Sequence, residues 1–164
     1  MVSLRAMVEA KGALLTGAKA EAIFRQEVGL GGVSATEMVH AAVSKATPAG
    51  QTGHLAMAWQ RRILTMGVPF ESQVFNPMPY GEVVEKGSRP HVILPRYKKA
   101  LAFLPGGGSF AERFRSGDTV VVKKVHHPGT KPTRFVEKTV QRLQDGPWMQ
   151  LWERVVSRIV ERLS

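Results

Sequence analysis

Tyr80-Gly81-Glu82-Val83-Val84-Glu85-Lys86-Gly87-Ser88-Arg89-Pro90-His91 is the stretch on which the reading of this chain turns. Tyr80, Val83 and Val84 stand at i, i+3 and i+4, a spacing that puts them on one face of a helix. Glu82 and Glu85 point off that face. Gly87 ends the turn, because glycine reaches left-handed backbone without a Cβ penalty. Pro90 bars continuation and pushes Arg89 toward extended backbone. Val92-Ile93-Leu94-Pro95 then reads as a short extended segment. The stretch therefore predicts a short helix, a sharp stop, and a corner that delivers Arg89, Pro90 and His91 to the edge of a sheet.

Upstream, Arg61–Met66 and Phe70–Phe75, separated by Gly67-Val68-Pro69, read as a β-hairpin closed by Asn76-Pro77-Met78-Pro79. Before it, Thr52 is placed to cap a short turn carrying Leu55 and Trp59. Residues 1–27 read as a helix, with Met7, Ala10, Leu14 and Ala18 at helical spacing. Gly29-Leu30-Gly31-Gly32 is expected to break it. A second helix is expected from Ser34, with Glu37 three residues on as a capping box, ending at Pro48-Ala49-Gly50. His40 lies on this helix as a partly exposed residue, with no second ligand at i±3 or i±4.

Downstream, Ala100–Leu104 and Asp118–Val125 read as two strands of a long hairpin. Its tip, residues 105–117, carries Gly106-Gly107-Gly108 and is expected to be mobile. Within it Phe110 and Phe114, beside Arg113 and Arg115, either anchor the loop base or form a tip that docks into a partner. His126-His127-Pro128-Gly129-Thr130-Lys131-Pro132 reads as a rigid loop whose geometry is set by Pro128, Gly129 and Pro132. Two helices follow, one through Phe135, Val136, Val140 and Leu143, and one from about Trp148 to Leu163.

The chain has 164 residues, 43% of them apolar, which suits one domain with a real core. It contains no cysteine, which excludes disulfides, cysteine metal sites and thiol catalysis. No apolar run approaches the ~18 residues of a membrane span, and the N-terminus lacks the apolar stretch of a signal peptide. A soluble protein, made in the cytoplasm and without a membrane partner, is the expectation. The net charge of +10 is concentrated: residues 86–138 hold twelve basic and three acidic side chains, an excess of +9. Such a patch favours polyanions or acidic protein surfaces as partners.

Catalytic patterns are weak. The triple glycine lacks the Gly-Lys-Ser/Thr ending of a phosphate-binding loop and the spacing of a dinucleotide fingerprint. Adjacent histidines on extended chain point to opposite faces, so His126 and His127 do not readily share one ion. Glu85 has no titratable partner for acid–base work and is expected to pair with Arg89 or Lys86, or to cross a subunit boundary. No nucleophile elbow is present. The expectation is a protein that is not an enzyme and has no cofactor or metal. The basic set, including Lys98, Lys99, Lys123, Lys124 and Lys131, holds few aromatics. Tyr97 is the nearest, so a single-strand stacking platform is not indicated. There is no helix-turn-helix, zinc-finger or RNP pattern, which leaves backbone attraction to duplex DNA.

Several short motifs carry a family resemblance. Tyr80, then Val84-Glu85-Lys86-Gly87, then Arg89-Pro90, with Pro48 and Thr52-Gly53-His54-Leu55 upstream, resemble the neck and tail-completion (head–tail joining) proteins of long-tailed phages. The likeness covers roughly Ala42 to Val140. In that family Tyr-Ala is more usual than Tyr80-Gly81, and Ser or Thr often stands at the position of Trp59. A His-Pro-Gly-Thr loop, here His127–Thr130, is a structural connector there. The resemblance implies a virion protein, assembled in the host cytoplasm as a hexameric or dodecameric ring. Its partners would be further copies of itself, neighbouring connector, adaptor and tail-tube proteins, and duplex DNA in the channel. Contact residues would be Arg89, His91, Phe110, Arg113, Phe114 and Arg115. The basic candidates facing DNA are Lys98, Lys99, Lys123, Lys124 and Lys131, and the structural turns are Gly87–Pro90 and Pro128–Gly129. The rival reading is a sequence-independent nucleic-acid-binding protein.

The expected fold is α+β. One small, mainly antiparallel sheet from about residues 61–75, 92–104 and 118–126 is covered on one face by helices from both termini.

Overall fold

A computed structural model describes residues 2–6, 17–50, 52–103 and 119–164. In chain order the elements are β1 (Val2–Ala6), α1 (Ala18–Ala46), α2 (His54–Met57), β2 (Gln60–Thr65), β3 (Phe70–Phe75), α3 (Gly81–Lys86) and β4 (His91–Ile93). There follow β5 (Leu101–Phe103), β6 (Val120–Val122), β7 (Val125–His127), α4 (Phe135–Gln144) and α5 (Pro147–Leu163). The fold is α+β with small antiparallel sheets, as the sequence predicts. The sequence reads as one domain; the residues group into two compact units, Met1–Glu85 with Arg134–Ser164, and Lys86–Thr133.

In the first unit β3 is the middle strand of a three-stranded antiparallel sheet in the order β1-β3-β2. The expected hairpin is present as β2 and β3, paired from Gln60↔Phe75 to Thr65↔Glu71 with an irregularity at Leu64. Alternation decides which face of β3 is covered: Phe70, Ser72 and Val74 are buried, while Glu71, Gln73 and Phe75 are half-buried. α1 packs on the buried side. There Ser72 Oγ lies 2.7 Å from Thr36 Oγ1, whose hydroxyl donates to Gly32 O. One core cluster joins Val39, Val43, Trp59, Val74, Phe135 and Leu143, and a second joins Val28, Ala35, Leu151, Val155 and Ile159. Trp59 brings a polar atom into this core, and its indole N–H donates to Thr47 Oγ1 at 2.8 Å.

Several expectations need correction here. The N-terminal segment is not a helix from residue 1: residues 2–6 form β1, paired from Val2↔Val74 to Ala6↔Phe70. The middle of that expected helix, residues 7–16, lies outside the described residues. Gly29–Gly32 does not break the chain, and α1 runs through it for 29 residues. The reason is packing. A Cβ at Gly31 would stand 2.6 Å from Val155 Cγ2, and one at Gly32 would meet the ring of Phe70. These glycines let a helix and a strand approach closely, and the buried contacts offset the cost of glycine in a helix. Ser34 caps nothing; it sits inside α1 and its hydroxyl donates to Leu30 O. Glu37, the other half of the expected box, forms an ion pair with Arg61. Gly53, at φ 65°, occupies the N-cap of α2 in place of Thr52, and no side chain caps it. His40 is half-buried, its Nε2 3.1 Å from Trp59 O.

The second unit has its own strands, so the single expected sheet is replaced by separate ones. β4 pairs with β7, and β5 with β6, each as a two-stranded antiparallel ribbon. The strand expected over 118–125 is interrupted at Lys123-Lys124. His126 and His127, expected in a loop, lie in β7. The β5–β6 pairing matches the base of the expected hairpin. Its tip, residues 105–117 with Phe110, Arg113, Phe114 and Arg115, lies outside the described residues.

Candidate functional site

The corner read from the sequence is built from two crossing backbones. Gly87 ends α3 at φ 76°. Ser88 N–H donates to Thr130 O at 3.0 Å, and Thr130 N–H donates back to Ser88 O at 3.1 Å. A Cβ on Gly87 would run into Thr130 O and stand 2.9 Å from Pro132 N. Gly129, at φ 88°, is the reciprocal case, for its Cβ would run into Ser88 O and stand 3.1 Å from Pro90 N. Both glycines are thus required twice, by a positive φ and by the lack of room. Arg89 and Pro90 are exposed beside this crossing.

The ribbon continues the corner. His91 pairs with His127, Val92 with His126 and Ile93 with Val125. The rings of His91 and His127 stack at 5.0 Å between centroids. His91 Nδ1 donates to Arg89 O at 2.9 Å, since a carbonyl can only accept. His127 Nδ1 accepts the N–H of Gly129 at 3.0 Å. The two bonds set opposite tautomers when the rings are neutral, so the pair presents one free Nε2 lone pair and one Nε2–H. Two lone pairs aimed at one ion are not offered. Among the described residues no group of three or more His, Asp or Glu is placed to hold a metal.

Beyond Ile93 the two sides of the ribbon differ in length. One side runs from β4 through residues 94–100 to β5; the other runs from β6 through Lys123-Lys124 to β7. Because Ile93 faces Val125 and Leu101 faces Val122, Lys123 and Lys124 span the same interval as residues 94–100. Arg96, Tyr97, Lys98, Lys99, Lys123 and Lys124 are all exposed in that interval. The described residues of this unit also hold Lys86, Arg89 and Lys131, and no Asp or Glu. The formal charges of these described residues are of one sign, which draws anions from solution; Glu112 and Asp118 of the same unit lie outside the described residues.

Glu85 has backbone partners that the sequence reading did not foresee. Its Oε2 accepts Val136 N–H at 3.0 Å and its Oε1 accepts Glu137 N–H at 3.2 Å, while its carbonyl accepts Arg134 N–H at 3.1 Å. A carboxylate from α3 thus caps the N-terminus of α4, whose own N-cap residue, Arg134, supplies no side-chain bond. No short-range pattern could reveal this, because the bonded residues are 51 and 52 positions apart.

An apolar cavity of about 60 Å³ lies against Val2, Val39, Val140, Leu143, Gln144 and Trp148 in the first unit. It is far smaller than a substrate pocket. No helix among the described residues is long and apolar enough to cross a membrane. Comparison of the chain with protein-family models, with curated proteins and with solved structures yields no match.

Proposed function

We propose that this chain is a neck or tail-completion protein of a tailed phage or prophage, a structural ring subunit that joins the DNA-filled head to the tail. The observation that supports it best is the crossing at Ser88 and Thr130. The two segments that carry the resemblance, Val84–Pro90 and His127–Thr130, are far apart in sequence, yet their backbones hydrogen-bond to each other. Residues chosen for a shape, and not for a reaction, account for both motifs. Ring closure needs one face of a subunit to meet a different face of the next. In this reading Arg89 and His91, exposed at the corner, contact a neighbouring copy. Lys98, Lys99, Lys123, Lys124 and Lys131 face the DNA, and the protein resides in the virion after assembly in the host cytoplasm.

The test belongs in the particle. Mass spectrometry of purified virions should find the chain. Micrographs of lysates lacking it should show filled heads and tails that have not joined, or unfinished tails. Virions without the chain, or normal particles in its absence, refute the reading. A second reading, a sequence-independent nucleic-acid-binding protein outside the virion, is favoured by the ribbon's exposed cations. It predicts binding to nucleic acid by the free protein and no place in the particle.

A further inference from the structure

We propose that the ring of Tyr97, set among Arg96, Lys98, Lys99, Lys123 and Lys124, is a stacking site for an unpaired base of single-stranded nucleic acid. Tyr97 is 90% exposed, so packing does not explain where its ring is held. The guanidinium carbon of Arg96 lies 5.7 Å from the ring centroid. An arginine over an aromatic ring is a pairing that also serves to hold a base. Pairing register brings Lys123 and Lys124 to the interval that Arg96, Lys98 and Lys99 occupy on the other side of the ribbon. One uncovered ring thus carries an arginine against it and shares its interval of the ribbon with four exposed lysines.

The ring selects among polyanions. Duplex DNA offers phosphates and base edges, and its base faces are already stacked inside. An acidic peptide satisfies the cations but brings no flat partner for the ring. A single strand offers both a charged backbone and open base faces, which is the combination this site matches. The sequence alone, with Tyr97 the nearest aromatic to the cations, does not indicate a stacking platform, because exposure and the Arg96 contact are visible only in three dimensions. The inference rests on the ribbon being a nucleic-acid surface. It does not depend on ring assembly.

The experiment is fluorescence anisotropy with the full chain, labelled oligothymidylate and a labelled duplex of equal length, across a salt series. Tyr97→Leu should weaken oligothymidylate binding by roughly five- to a hundredfold. It should leave the salt slope and the duplex affinity unchanged, since it removes a ring and no charge. Tyr97→Trp should retain binding, with indole fluorescence quenched by the oligonucleotide. Lys98→Gln with Lys99→Gln should instead flatten the slope by about 0.7 for each lost phosphate contact. Melting of Tyr97→Leu should match the parent, because the side chain is outside the core. Equal oligothymidylate affinity of Tyr97→Leu and the parent overturns the proposal. So does an equal loss toward heparin, a polyanion without bases, or tighter binding of polyglutamate than of oligothymidylate. If the parent binds neither nucleic acid at low salt, the nucleic-acid reading of the ribbon falls as well.

Discussion

Two glycines in α1, three residues apart, should respond to alanine with opposite signs. A Cβ on Gly29 would meet Gly67 N at 3.7 Å and Met66 Cε at 4.0 Å, ordinary contact distances. Gly29→Ala therefore gains the helix propensity of alanine, about 0.5–1 kcal/mol, without strain. At Gly32 the same methyl would stand 2.6 Å from Phe70 Cδ2 and closer still to two other ring atoms. Carbon atoms rest at about 3.5–4.0 Å, so the ring must retreat by about 1 Å. Phe70 is 1% exposed, so its ring retreats against its buried surroundings and not into solvent. Overpacking of that kind costs about 1–3 kcal/mol and can exceed it, against a propensity gain of about 1. The expected net loss for Gly32→Ala is about 0–2 kcal/mol, toward the upper end because Phe70 is so fully buried. In a chain of this size each kcal/mol moves the melting temperature by about 2–4 °C. Gly29→Ala should therefore melt a few degrees above the parent and Gly32→Ala a few degrees below it, read by circular dichroism and by urea midpoints. If Gly32→Ala stabilises as much as Gly29→Ala does, α1 does not lie against β3 there. If both destabilise, the helix does not run through these glycines.

Gly87→Val should destabilise the second unit by at least about 2 kcal/mol, because a β-branched residue is strained at φ 76° and its Cβ meets backbone at Thr130 and Pro132. Amide exchange at Ser88 and Thr130 reports it, and unchanged protection there would show that the crossing is misread. Glu85→Ala should cost about 1 kcal/mol through loss of the cap on α4, with faster exchange at Val136 and Glu137; a loss confined to residues near Arg89 would point to a different partner. Glu27 is buried and receives Arg158 Nε at 2.9 Å and Arg162 Nη1 at 2.7 Å. Both arginines are substantially exposed, so Glu27→Gln is expected to lower the urea-derived stability by only about 1–2 kcal/mol, and no change would mean that solvent screens the pair completely. Lys123→Glu with Lys124→Glu should weaken duplex binding and remove about 0.9 from the slope of log affinity against log salt for each lost phosphate contact; equal slopes for variant and parent would place DNA elsewhere.

The sequence by itself determined what depends on near neighbours. The β2–β3 hairpin follows from two strand-like runs around a Gly-Val-Pro turn. The stop at Gly87 follows from glycine and a nearby proline, and α4 and α5 from helical spacing in Val136, Val140, Leu143, Leu151, Val155 and Ile159. Charge is additive, so the excess in residues 86–138 needed no fold to be seen. Tertiary structure decided the rest, because the deciding partners are distant along the chain. Gly31 and Gly32 look like a break until Val155 and Phe70 arrive to fill the space beside them. Residues 2–6 become a strand because β3 has an open edge, and pairing with that edge outweighs helical spacing in their neighbours. Glu85 looks like a surface carboxylate until α4 brings it two unpaired N–H groups. Tyr97 is one aromatic letter until the structure sets Arg96 against its ring, leaves the ring uncovered and brings Lys123 and Lys124 to the same interval of the ribbon. Local rules set how each segment bends; only contacts between segments set which backbone must be bare, which carboxylate is bonded and which ring faces water.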